Sequence, residues 1–177
     1  MYVIDTSAVF LRKIPENSVT VPEVVDEIID EESKLYFQIS NVRVECSQPE
    51  YVLRIKRVAK ETGDVHRLSN TDVKVLAKAL ELKEKGFEVS IVTDDYSIQN
   101  VAKVIGVGIE SIIQKGISKA FKWVKVCKGC GRKVEGDVCP VCGSEVVLRR
   151  VRGEKARRSR SKSKKAKRKG FDDWRDS

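Results

Sequence analysis

Short apolar runs alternating with amphipathic segments over the first 113 residues predict an α/β domain with a central parallel sheet flanked by helices. Two Cys-x-x-Cys pairs behind it predict a small zinc ribbon, because each tight turn aims two sulfurs at one point. A run of Lys and Arg beyond the second pair, without apolar periodicity, predicts a disordered basic tail. The boundaries that follow are 1–113 for the α/β domain, 114–122 for a linker, 123–148 for the ribbon and 149–177 for the tail.

Tyr2-Val3-Ile4 reads as the first strand, ending at Asp5-Thr6-Ser7, residue types that cap a short helix over Ala8-Val9-Phe10-Leu11. Val19-Thr20-Val21 is a second strand leading into Pro22, placed to start a helix through Val24, Val25, Ile28 and Ile29. Val42, Val44 and Cys46 alternate as a strand, with Cys46 expected to be a buried structural thiol. Pro49 opens a helix whose Val52, Ile55, Val58 and Ala59 share one face before Gly63 ends it. The next helix begins near Leu68-Ser69-Asn70-Thr71-Asp72, turns Val73, Leu76, Ala77 and Leu80 inward, and stops at Gly86. Phe87 to Thr93 is a strand, Ser97 to Ile105 a helix, and Gly108 to Ile112 a last short strand.

In open α/β sheets the chemistry sits beyond the carboxyl ends of the strands, and the acids collect there. Asp5 ends the first strand, Asp94 and Asp95 end another, and Asp72 opens a helix. Glu27 flanks the apolar face of the helix from Pro22. Each acid also has an ordinary role, as a cap or first-turn residue for the aspartates and as a solvated helix residue for Glu27. Together, carboxylates from such distant segments repel unless a cation lies between them, and hard oxygen donors select magnesium or manganese. His66, the one histidine, is expected to take no part in catalysis.

In the ribbon, Cys127 and Cys130 are paired with Cys139 and Cys142, and a glycine follows each pair at Gly131 and Gly143. Eight residues separate the pairs, so the ribbon is compact, with a hairpin and little else expected between its knuckles. The opening residues Met1-Tyr2-Val3-Ile4-Asp5 are not a signal peptide, so a soluble, cytoplasmic chain holding reduced cysteines is expected. No apolar run approaches the roughly 20 residues that cross a bilayer. The net charge of +9 divides into +12 over residues 149–169, −2 over the last eight and −1 over the first 148. The basicity therefore belongs to the tail, where flexible cations suit a nucleic-acid backbone, with Phe171 and Trp174 available to stack on bases.

Val3-Ile4-Asp5-Thr6-Ser7-Ala8, Val24-Val25-Asp26-Glu27-Ile28, Leu68-Ser69-Asn70-Thr71-Asp72 and Thr93-Asp94-Asp95 together resemble the PIN-domain nucleases. Followed by a cysteine ribbon and a basic tail, the pattern is similar to the archaeal form of the Nin-one-binding endonuclease family of small-subunit ribosome biogenesis. The resemblance implies an endoribonuclease that trims the 3′ end of precursor small-subunit ribosomal RNA, with that RNA and the small-subunit particle as partners. It implies a catalytic set of Asp5, Glu27, Asp72, Asp94 and Asp95. Asp5, Asp72 and Asp95 are the expected ligands of magnesium or manganese, with Asp95 favoured over Asp94, and zinc sits on the four cysteines. A toxin-type PIN ribonuclease shares the acids but is usually a lone domain, so the ribbon weighs against it. The complete acid set weighs against a PIN fold that serves only as an RNA-binding assembly platform.

Overall fold

The computed structural model describes residues 1–113 and 120–152 and divides into two compact units, Met1–Ala120 and a second that begins at Phe121. The stretch 114–119 of the expected linker and the tail from residue 153, Phe171 and Trp174 included, lie outside the described residues.

The first unit runs β1 (Tyr2–Ile4), α1 (Thr6–Phe10), β2 (Ser18–Thr20), α2 (Pro22–Asp26), α3 (Glu31–Ile39), β3 (Arg43–Val44), α4 (Pro49–Thr62), α5 (Asn70–Glu84), β4 (Ser90–Val92), α6 (Tyr96–Ile105) and β5 (Gly108–Glu110). Its five strands form one sheet in the order β3-β2-β1-β4-β5, and every pairing is parallel. Parallel strands are covered on both faces, and β1 shows how. Val3 joins a large core with Val19, Ile55, Leu76, Ile91 and Ile98, while Ile4 joins a smaller one with Val9, Ile28 and Val92. Helices α4, α5 and α6 supply the first core, and α1 with Tyr36 and Phe37 of α3 supplies the second.

Local chemistry explains most element ends. Pro22 and Pro49 each occupy a first-turn position, and Gly63 and Gly106 close α4 and α6 with positive φ (81° and 69°). The helix from Pro22 is shorter than its apolar pattern suggests. Ile28 N–H turns to the Val25 carbonyl three residues back, so Glu27 becomes the C-cap and Ile29 is exposed. Helix α3 has no counterpart in the sequence pattern, because Leu35 and Ile39 stand in solvent and break the apolar stripe. Asp30 starts it by accepting the Ser33 N–H at 2.8 Å. The strand expected through Cys46 shrinks to Arg43–Val44 on the sheet edge, and Cys46 is exposed rather than buried. Its carbonyl is what the fold uses, accepting from Lys78 at 3.2 Å.

That contact belongs to the most deeply buried ion cluster of the first unit. Lys78 and Glu81, one turn apart on α5, are 3 % and 2 % exposed. Lys78 reaches Glu81 at 3.3 Å and Glu45 at 3.0 Å, while Glu81 also accepts from Lys85 at 2.6 Å and from the Gln48 N–H at 3.3 Å. Burial pushes the Glu81 carboxyl up, but Lys85 and Lys78 outweigh it and hold the group below its usual range. Through these bonds α5 fixes the 45–48 connection into α4.

The second unit pairs β6 (Phe121–Cys127) with β7 (Val146–Arg152), antiparallel, from Phe121↔Arg152 to Cys127↔Val146. The paired strands flank the knuckles instead of lying between them as the spacing suggests; only isolated bridges, Val126↔Lys133 and Val138↔Glu145, serve the stretch between. The ladder begins at Phe121, within the stretch read as linker, and ends at Arg152, within the stretch read as tail. Among the described residues no helix is long and apolar enough to cross a membrane.

Lys78→Met is expected to cost about 3 kcal/mol or more, because it leaves Glu81 charged and buried beside only one remaining cation. Denaturant unfolding checks this; a loss below about 1 kcal/mol would show the cluster to be dispensable.

Candidate functional site

The sheet grows from β1 to β2 and β3 on one side, then returns to place β4 on the other, so β1 and β4 meet at the topological switch point. Their register pairs Ile4 with Val92 and brings the next residues, Asp5 and Thr93, side by side. Asp5 is 7 % exposed and caps α1 by accepting the Thr6 N–H at 2.7 Å. Its other oxygen accepts from the Thr93 hydroxyl at 2.9 Å and the Ser7 hydroxyl at 3.1 Å. Burial pushes the Asp5 carboxyl above the usual carboxylate range; Thr93, Thr6 and Ser7 pull it back, and the charge of Asp72 raises it again.

Asp72 arrives from the first turn of α5, fixed by a capping box. Its carboxylate accepts the Ser69 N–H at 2.7 Å while its own N–H donates to the Ser69 hydroxyl at 3.1 Å. Burial raises this carboxyl too; Ser69 lowers it, and the charges of Asp95 and Glu27 raise it. Glu27, exposed at the end of α2, accepts a hydrogen bond from the Thr6 hydroxyl, so Thr6 serves Asp5 with its backbone and Glu27 with its side chain. The hydroxyls of Thr6 and Ser7 are both committed to carboxylates.

The structure separates the adjacent aspartates. Asp95 caps α6 by accepting the Ser97 N–H at 2.6 Å and lies close enough to Asp72 to raise its carboxyl. Asp94 turns to the backbone of the 112–113 turn, accepting from the Ile112 N–H at 2.8 Å and the Ile113 N–H at 3.1 Å. Asp5, Glu27, Asp72 and Asp95 thus share one electrostatic neighbourhood, whereas Asp94 braces the end of β5. Thr93, fully buried, is the residue that motif reading passes over. It donates to Asp5 and accepts the Asp95 N–H at 3.1 Å. Its position between a strand and two aspartates is the signal that could have found it. His66 is exposed.

Among the described residues no three carboxylates bring ligand atoms within 4.8 Å of one another. An open set of hard oxygens whose burial and mutual repulsion already favour a neutralising charge fits a cation that keeps part of its own water, as magnesium and manganese sites do. The cysteines are different. One sulfur from each of Cys127, Cys130, Cys139 and Cys142 lies within 4.8 Å of all the others, with Cys127 and Cys142 at 3.3 Å and Cys130 and Cys139 at 3.7 Å. Gly131 and Gly143 close the knuckles at φ 72° and 68°, angles that a side chain rarely adopts. The Ser144 hydroxyl and N–H, with Cys127, draw the Cys142 thiol down to about 6, toward the thiolate a metal requires. The set can hold a metal ion.

Known proteins place these features in a family. A family model described as the PIN domain of ribonuclease matches residues 2–82, which span Asp5, Glu27 and Asp72. "Endoribonuclease Nob1" of Archaeoglobus fulgidus is 58 % identical over 160 residues, covering 90 % of this chain and 96 % of that protein. "Ribonuclease VapC1" of Thermoplasma acidophilum is 39 % identical over 155 residues, 82 % of this chain and 76 % of that protein, an alignment too long to leave out the cysteine unit. "20S-pre-rRNA D-site endonuclease nob1" of Schizosaccharomyces pombe is 37 % identical over 79 residues, 44 % of this chain but 20 % of that longer protein.

The raised Asp5 carboxyl carries a sign. A carboxyl higher in the folded than in the unfolded chain contributes stability below its unfolded value, and that stability is lost as pH rises through the folded value. With divalent ions chelated, Asp5→Asn is therefore expected to melt above wild type at pH 7, with the gap narrowing toward pH 4. Thermal melts across that window check it; a gap independent of pH would refute it.

Proposed function

We propose, for a chain that belongs to the Nob1 endoribonuclease family, that the acidic cluster at the switch point hydrolyses a phosphodiester at the 3′ end of precursor small-subunit ribosomal RNA during ribosome maturation. The observation that carries the reading is the gathering of Asp5, Glu27, Asp72 and Asp95 from four separate segments, in a neighbourhood where burial and like charge raise two of their carboxyls. The name of the fission-yeast relative supports the choice of RNA.

In this reading Asp5, Asp72 and Asp95 hold magnesium or manganese, which when bound supplies an activated water and neutralises charge at the phosphodiester. Thr93 and the Thr6 N–H hold Asp5 in one orientation and favour its charged form against the effect of burial. The Thr6 hydroxyl ties Glu27 to the same rim, and the Ser69 capping box keeps Asp72 from swinging into solvent. Attack by water leaves a 5′ phosphate and a 3′ hydroxyl. Asp94 supports the site through the 112–113 backbone. Cys127, Cys130, Cys139 and Cys142 hold zinc, and a closed four-thiolate site leaves no position for substrate, so its work is structural. In this reading the enzyme works in the cytoplasm.

Asp5→Asn is expected to lower cleavage of an RNA spanning the mature 3′ end at least about 100-fold in manganese while the protein stays folded. A gel-based cleavage assay with wild type beside it checks this. Activity that survives the substitution would reject the site, and a wild type inactive with every divalent ion would favour the assembly-platform reading.

Deleting 153–177, a cut that leaves β7 whole, is expected to weaken RNA binding and flatten its salt dependence, since the first 148 residues are nearly neutral. An unchanged salt slope would place the affinity elsewhere.

A further inference from the structure

A cavity of about 500 Å³ opens on the first unit between α4 and the start of α5. The acidic site does not account for it. Its apolar lining includes Leu68 and Val73, and three cations of α4, Lys56, Arg57 and Lys60, share the lining with Ser69. No acid lines it. The three cations are exposed and form no ion pair among the described residues, although Arg54 on the same helix is engaged by Glu84 at 2.6 Å. Their spacing at i, i+1 and i+4 puts all three along one side of α4. The volume falls in the ordinary range of sites for small organic groups, about 300–1,000 Å³.

The cavity also adjoins the acids. Ser69 lines it and at the same time makes both capping bonds to Asp72, so the wall of the cavity is the residue that fixes a member of the acidic cluster. An apolar surface with unpaired cations and no carboxylate, beginning at the rim of a phosphodiester-cutting cluster, fits a polyanion that carries flat apolar groups.

We infer that this cavity docks a nucleotide of the RNA strand next to the bond being cut, with its base or ribose against Leu68 and Val73 and the neighbouring phosphates on Lys56, Arg57 and Lys60. The inference rests on the nuclease reading and adds to it a place for the substrate. The tail supplies long-range affinity, whereas the cavity sets which bond reaches the acids.

The test uses the full chain with Lys56→Gln, Arg57→Gln and Lys60→Gln combined, and as probe a single-stranded RNA spanning the mature 3′ end of small-subunit ribosomal RNA. The side chains are exposed, so the melting temperature serves as the folding control. Removing three phosphate contacts is expected to reduce the slope of log affinity against log salt by about 2 and to raise KM about tenfold, with kcat changed far less. In an Asp5→Asn background that binds without cutting, a photoreactive side chain at position 53 in the cavity wall is expected to cross-link the RNA. Unchanged slope and KM with no cross-link, while wild type still cuts, would overturn the cavity and leave the nuclease reading standing. A cross-link and a shifted slope in a protein that cuts no RNA would uphold the cavity and overturn the nuclease. Cross-linking to a ribosomal protein in place of RNA would overturn the cavity as an RNA site.

Discussion

The acidic site depends on the parallel pairing of β1 with β4. These two three-residue strands come from opposite ends of the first unit, yet their ladder sets Asp5 against Thr93 to within a hydrogen bond. Parallel neighbours need long crossovers, and here the crossover runs through α1, β2, α2, α3, β3, α4 and α5. That excursion delivers Glu27 and Asp72 to the same edge. A register slip of one residue would turn Ile4 and Val92 away from the smaller core, so the packing that stabilises the sheet also fixes the site.

The two ionic clusters show opposite solutions to one electrostatic problem. Lys78 and Glu81 are paired and further bonded, so their charges are satisfied inside the protein. Asp5 and Asp72 receive hydrogen bonds but no cation among the described residues, and their carboxyls stay raised. The first arrangement spends polar groups on locking a connection in place. The second holds like charges near one another, a cost that a stabilising partner from outside the chain can repay.

Much of this was legible in the sequence because the governing interactions are local. Capping types, Pro and Gly placement and the apolar periods of α4, α5 and α6 announce those elements, and the two cysteine pairs announce their cluster. Helix α3 was not legible, since only Tyr36 and Phe37 pack while Leu35 and Ile39 do not. The fate of Cys46 was hidden because alternation cannot tell a two-residue edge strand from a buried one. Asp94 and Asp95 are identical in type and adjacent; only the backbone of residues 112 and 113, brought in by β5, distinguishes their work. The ladder of the second unit was also illegible, because Phe121 to Cys127 and Val146 to Arg152 mix cations with apolar residues and resemble a linker and a tail as much as strands.

That ladder has a topological consequence. Because Phe121 pairs with Arg152, the chain leaves the cysteine unit beside the point where it entered, at the end away from the cysteine knuckles. Facing residues in such a ladder lie roughly 5 Å apart. The whole ribbon from Phe121 to Arg152 therefore brings the chain back to where it began, so that its first and last residues are neighbours however much sequence lies between them.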